Sequence, residues 1–403
     1  MNKKVVVAII FAVSLLICAF ASADSSCGAN ATWTLDNGTL TISGSGPMYQ
    51  CRNMKEVPWY EKKDQIIKAV VEEGITSISN YAFYDNKNLL YAEIAGSVES
   101  IGRGAFDGCV SLSDLIIHEG VRTIADDAFA SCTSLCGVSL PSSLIELTNN
   151  PFEYCTSIKS FSVSKDNNVY KTIDGVLFSA DGSTLVSYPV GKVGDEYVIP
   201  EGVKTVGEDA FNKSNLMKIV CPKTLEYIGD YAFSYCSKLT DIDINEGIIS
   251  IGSSAFYECS SLITIDIPAS CLTISSGPFN YNSDLSVVRF YGKDTMMKGD
   301  KVFKSCSEYL IVYGLPGSVI EQYCQRNNMT FRVLEETNIA SGNDDTETWT
   351  CINGHEGKTG KFCNECGSEK PSNLACTACL YKIPEGFNFY YCPMCGTALK
   401  ADK

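Results

Sequence analysis

The chain reads as an α/β repeat solenoid: one parallel β-strand and one short helical turn per rung, a β-meander insertion, and a small cysteine-rich C-terminal domain. Three observations predict it. An Ala-Phe or Pro-Phe pair returns every 22 to 24 residues, at Phe83, Phe106, Phe129 and Phe152, then at Phe211, Phe233, Phe256 and Phe279. Five residues before each Phe sits an aliphatic: Ile78, Ile101, Ile124, Leu147, Val206, Ile228, Ile251 and Ile274. Finally, seven cysteines and a histidine crowd between Cys351 and Cys395. A fixed period of this length marks a stack of small units, none able to bury its own apolar face.

Residues 1–23 read as a secretory signal. Lys3 and Lys4 precede an unbroken apolar or small run from Val5 to Phe20, and Ala21-Ser22-Ala23 has the form of a cleavage site. The run is short for a membrane span, although an uncleaved anchor is the alternative. The chain beyond it is therefore expected to leave the cytoplasm, with no membrane insertion once the signal is cleaved. No C-terminal sorting or membrane segment is read, which leaves the means of attachment open. The formal charge of −15 argues against nucleic acid or an anionic membrane as the main partner.

Residues 24–70 form an N-terminal β cap. The alternating patterns Thr32–Leu35 and Thr39–Ser43 flank Asp36-Asn37-Gly38, a strong hairpin turn. Cys27 and Cys51 look like a disulfide pair within this cap. The solenoid then covers 71–295. In a representative unit Phe233, Cys236 and Leu239 are three apart, which places them on one face of a short helical turn. Leu239, Ile242 and Ile244 fit the L-x-x-I-x-I strand of leucine-rich repeats. Gly120, Gly202 and Gly247 sit at unit ends, where a tight corner favours positive φ.

The gap from Phe152 to Phe211 holds an insertion at 165–200. Val169–Ile173 and Val176–Phe178 flank Asp174-Gly175 as a hairpin, and Thr184–Val186 follows a second turn at Asp181-Gly182. This predicts a strand meander on one edge of the solenoid. Phe303 and Cys306 mark a worn ninth unit. A short helix within 317–327 and a strand at 330–334 complete a closing cap, 296–334. The polar, acidic stretch 335–348 reads as a linker.

These repeats resemble the BspA-type leucine-rich repeat family of bacterial and some protist surface proteins. The marks are I-x-x-x-A-F-x-x-C-x-x-L-x-x-I-x-I, the leading Cys27-Gly28 with Thr32-Trp33-Thr34-Leu35, and the Asp174–Phe178 insertion. They span about residues 26 to 335. The resemblance implies secretion or surface display and a role in adhesion or recognition, without identifying a ligand.

The tail, 349–403, carries the strongest local chemistry. Cys351 and His355 are followed by Cys363 and Cys366, Cys376 and Cys379, then Cys392 and Cys395. Three Cys-x-x-Cys pairs supply thiolates at the spacing of tetrahedral zinc sites, and eight ligands suffice for two zinc ions. The segment resembles tandem zinc ribbons, with His355 in place of a missing second cysteine in the first. The preferred sets are Cys351, His355, Cys363, Cys366 and Cys376, Cys379, Cys392, Cys395. A crossed assignment and disulfide pairing are the alternatives. All positions are filled by protein, so the zinc would be structural.

Cys109, Cys132, Cys155, Cys236, Cys259 and Cys306 occupy one repeat column, with Asn86 and Asn282 in the same place in outlying units. They read as a buried ladder that bonds or packs rung to rung. His118 reads as an exposed strand-end residue. Asp241, Asp243 and Asp266 read as a solvated strand face. No G-x-S-x-G, phosphate loop or H-E-x-x-H occurs, so no enzymatic activity is expected. The expected function is an exported recognition or adhesion protein, with a protein or glycan ligand on another cell or in a matrix. The alternative is an intracellular or membrane-anchored zinc-ribbon scaffold.

Overall fold

The computed structural model describes residues 25–299 and 301–334. Signal, linker and tail, with all eight candidate zinc ligands, lie outside the described residues. The hairpin Gly28–Asp36/Thr39–Met48 opens the fold, with Asn37 and Gly38 both at positive φ in its turn. Its second strand pairs in parallel with Lys68–Val71 and with Ile75–Ile78, so the cap seeds two ladders.

Each rung supplies two parallel strands where the sequence predicted one. The longer follows the L-x-x-I-x-I pattern, as in Tyr91–Ile94 and Asp114–Ile117. The shorter contains the aliphatic five residues before each Phe, as in Ser100–Ile101 and Thr123–Ile124. Two residues are too few to show the alternation of a strand, so the recurring aliphatic does not by itself reveal this ladder.

The third side of each rung is not helical, contrary to expectation. Residues two before and two after the Phe take the left-handed conformation, for example Tyr81 and Asp85 around Phe83, and Tyr231 and Tyr235 around Phe233. Alternating hands interrupt any helix and turn every second amide toward the next rung. Tyr231, Phe233 and Tyr235 therefore all donate to the next rung, to Ser253, Ala255 and Tyr257. The same pattern joins Gly104, Phe106 and Gly108 to Asp126, Ala128 and Ala130.

The Phe rings form a column through the core, 4.7 Å apart between Phe83 and Phe106 and 5.1 Å apart between Phe233 and Phe256. Trp59 covers one end, 5.9 Å from Phe83, and donates its indole N–H to Ala82. At the other end Phe303 stacks on Phe279 as the ninth unit, and Tyr323 of the helix Val319–Arg326 closes the column. The closing strand Thr330–Val333 adds to the longer-strand ladder.

The meander falls where predicted, in the strands Tyr170–Ile173, Val176–Ser179 and Thr184–Ser187. It does not sit on an edge. Thr184–Ser187 pairs with Thr205–Val206 and starts the second short-strand ladder. The central strand is buried on both faces: Leu177 packs into the N-terminal core, Val176 and Phe178 into the C-terminal core. Strand alternation sends neighbours to opposite sides, so one strand is a shared wall between two hydrophobic cores. Tyr188 then stands in for the missing Phe, stacked 5.0 Å from Phe211.

The expected Cys27–Cys51 disulfide is not formed. Both are buried, and all twelve cysteines among the described residues are free thiols. Burial pushes the Cys27 thiol up to about 11.

Candidate functional site

The cysteine column is structural, as expected, and its geometry is regular. Each Sγ donates to the carbonyl of the Phe one rung earlier: Cys109 to Phe83 at 3.1 Å, Cys132 to Phe106 at 3.2 Å, Cys155 to Phe129 at 3.0 Å. Cys236 and Cys259 repeat the contact at 3.1 Å, and Cys306 at 3.0 Å. Asn282 makes it with its amide, 3.0 Å from Phe256. Desolvation holds the Cys132 and Cys259 thiols well above the ordinary range, which favours the donating S–H form.

The surface able to meet a partner is the outward side of the longer-strand ladder. Alternation buries Ala92 and Ile94 and turns Tyr91 and Glu93 out; in the next rung it turns out Asp114 and Ile116. Parallel register aligns these side chains across rungs, so Val70, Glu93 and Ile116 form one row. Toward the C-terminal half the rows carry alternating charge. Lys218 lies 3.4 Å from Glu196, and Arg289 lies 3.0 Å from Asp266. Asp241 and Asp243 do point outward as predicted, and Lys218 stands in register with Asp241.

At the N-terminal end this face holds a groove of about 520 Å³, lined by Val70, Glu72, Glu93, Ala95, His118 and Glu119. Glu93 is held from two sides: Tyr91 donates its hydroxyl at 2.8 Å, and His118 Nε2 lies 3.2 Å away. Those two contacts hold the Glu93 carboxyl below its ordinary range, the Tyr91 bond contributing most. Glu119 is already engaged, capping Ser142 and Ser143 of the next rung, as Glu73 caps Gly96 and Ser97. His118 is exposed at a strand end, as the sequence indicated, but its partner was not foreseen. Rung spacing places Glu93 and His118 in neighbouring units; their contact depends on His118 lying one residue past the strand.

The groove offers carboxylates and an imidazole beside the apolar Val70 and Ala95. Such a surface accepts hydrogen-bond donors and cationic groups. Among the described residues no three His, Cys, Asp or Glu side chains are grouped to hold a metal. No helix among them is long and apolar enough to cross a membrane.

The model of the BspA type leucine rich repeat region matches residues 53–181 and 195–329, in six copies. No curated protein matches the chain. Among solved structures, the pneumococcal vaccine antigen PcpA is 20% identical, with a TM-score of 0.54, over 76% of this chain and 98% of its own. A leucine rich cell surface protein from Faecalibacterium prausnitzii A2-165 is 23% identical, with a TM-score of 0.50, over 75% and 96%. A leucine-rich repeat protein from Eubacterium ventriosum is 24% identical, with a TM-score of 0.49, over 70% and 94%. At these identities the likeness is one of fold.

Proposed function

Because the chain belongs to the BspA-type leucine-rich repeat family, we propose that it is an exported recognition protein. It binds a protein or glycan ligand on another cell or in a matrix through the outward face of its longer-strand ladder. The observation that carries this reading is that face itself. It is a long aligned row of polar and apolar side chains, with a groove at its N-terminal end. Such a surface makes many spread contacts, which suits recognition rather than catalysis. The signal-like segment 1–23 supports export. The description of the similar F. prausnitzii protein as a cell surface protein is in keeping with it. The tail is a compact accessory module holding two structural zinc ions through Cys351, His355, Cys363 and Cys366, and through Cys376, Cys379, Cys392 and Cys395.

One observation favours a second reading, a scaffold kept in a reducing compartment: every described cysteine is a free thiol. Cell fractionation with N-terminal sequencing separates the two. Export gives surface or medium protein beginning at Asp24; a cytoplasmic chain retaining Met1 overturns it. Zinc analysis of the intact protein tests the tail, with two ions per chain expected and metal-free folded protein contradicting it.

A further inference from the structure

We propose that the free edge of the strand Glu196–Val198, where the second half of the solenoid begins, is a docking site for an extended segment of a protein ligand, which pairs with it as an added strand. The longer-strand ladder stops at Ser160–Val163 and starts again at Glu196–Val198. Between them the chain makes the meander, and the turn of its first hairpin covers the earlier strand: Phe161 donates its N–H to Gly175 at 2.8 Å. Lys192 ties that turn in place, 2.9 Å from Asp174. Glu196–Val198 is left paired on one side, to Lys218–Val220.

The direction of the backbone groups defines what the open edge offers. Asp195 accepts from the Lys218 N–H at 3.0 Å, and Ile199 donates to Val220 at 3.0 Å, so Asp195, Tyr197 and Ile199 face the paired neighbour. Strand alternation turns the N–H and C=O of Glu196 and Val198 the other way. There, among the described residues, these groups meet no hydrogen-bond partner. The edge is open to solvent: Val198 is 59% exposed, and Val193, in the loop that leads into the strand, is 92% exposed. Two donors and two acceptors alternating at strand spacing are the complement of another extended backbone.

The side chains define which segment fits. Register aligns Glu196 with Lys218 and Asp241, and Val198 with Val220. Charge therefore alternates along the first row, and Glu196 is its last member at the open edge. A basic residue beside Glu196 continues the alternation, and an aliphatic residue two places away covers Val198. The exposed Asp195 adds a further negative charge at the start of the strand. The inference rests on the reading of a protein ligand at the strand face, and narrows it to a backbone-paired segment with a basic and an aliphatic residue two apart.

The test is selection of a phage-displayed random peptide library on the immobilised full chain, followed by the solution affinity of the enriched peptides for wild type and variants. Val198→Pro removes an outward N–H and leaves the bonds of Asp195 and Ile199 in place, a change that edge strands tolerate. It is expected to weaken binding about tenfold, the effect of losing one hydrogen bond. Glu196→Lys keeps the backbone whole and is expected to shift the preference from basic to acidic peptides. Hydrogen exchange at Glu196 and Val198 is expected to be fast in the free wild type and slowed by peptide, with Ile199 protected in both states. No enrichment, or enriched peptides that bind Val198→Pro as tightly as wild type, would overturn the proposal. Binding lost in Glu93→Lys but kept in Val198→Pro would move the segment to the groove, which overturns the edge site and spares the strand-face reading. Self-association that Val198→Pro abolishes, with no peptide enriched, would make a second copy the occupant and overturn the proposal equally.

Discussion

The Sγ of Cys259 lies 3.1 Å from the carbonyl oxygen of Phe233, one rung earlier in the stack. The bond ties the cysteine column to the phenylalanine column, and Cys259 and Phe233 are both wholly buried. Cys259→Ala removes one of the two hydrogen bonds that this carbonyl accepts, the other coming from the Cys236 N–H, and opens a small void. It is expected to destabilise the fold by about 1–2 kcal/mol, as read by urea unfolding. Cys259→Asn is the informative control, since Asn282 makes the same contact in the next unit. It should fold more stably than the alanine variant if the hydrogen bond, rather than volume, is what the column supplies.

Phe256 sits between Phe233 at 5.1 Å and Phe279 at 5.6 Å, fully buried. Phe256→Ala removes a ring from both stacks and is expected to cost about 3–5 kcal/mol. Because stability in a stack depends on neighbours, hydrogen exchange should speed up in the adjoining rungs before distant ones.

Leu177 and Phe178 are adjacent in one strand but face different cores. Leu177→Ala is therefore expected to raise hydrogen exchange mainly in residues 27–161, and Phe178→Ala mainly in the rungs after Val203. Identical exchange maps for the two variants would contradict the shared-wall arrangement.

Asp209 sets a pH dependence whose sign is fixed by its environment. Folded, its carboxyl keeps its proton up to about 7; unfolded, it releases it near the ordinary carboxyl value of about 3.9. Its stabilising contribution is complete below that lower value and lost as pH rises toward 7. Asp107, raised to about 6 by burial and then by Asp127, acts in the same direction. Asp209→Asn should gain Tm relative to wild type as pH rises from about 5 to about 8.

Among the described cysteines Cys136 is the exposed one. Brief alkylation of the native protein followed by peptide mapping is expected to label Cys136 well before Cys132 or Cys259. Those two are buried, and desolvation disfavours their thiolates. Equal labelling would mean that the column opens readily.

The repeat period, the hairpin turn at Asn37-Gly38 and the closing helix were legible because each leaves a local pattern. The Phe–Cys–Leu spacing correctly placed three residues in the core, but spacing of three does not distinguish a helix from a turn. Tyr81, Asp127 and Ser254 at positive φ decided against the helix, and none of these residues announces that conformation. The meander strands were readable, whereas their place in the wall was not. Which neighbour Leu177 or Phe178 meets is a matter of long-range packing. The groove partner of His118, and the meeting of Glu153 with Asn212 across the insertion, likewise arise only once the rungs are stacked.

We propose that the outward strand face recognises a ligand. Its most direct test is saturable binding of the mature chain, 24–403, to whole cells and immobilised matrix proteins, compared with Glu93→Lys and Ile116→Asp. Both substitutions change outward-facing side chains, half-buried at Glu93 and exposed at Ile116, and leave the core intact. Saturable wild-type binding is expected, weakened in both variants while their Tm stays unchanged. Binding of equal strength in all three proteins, or following a 345–403 fragment alone, would contradict it.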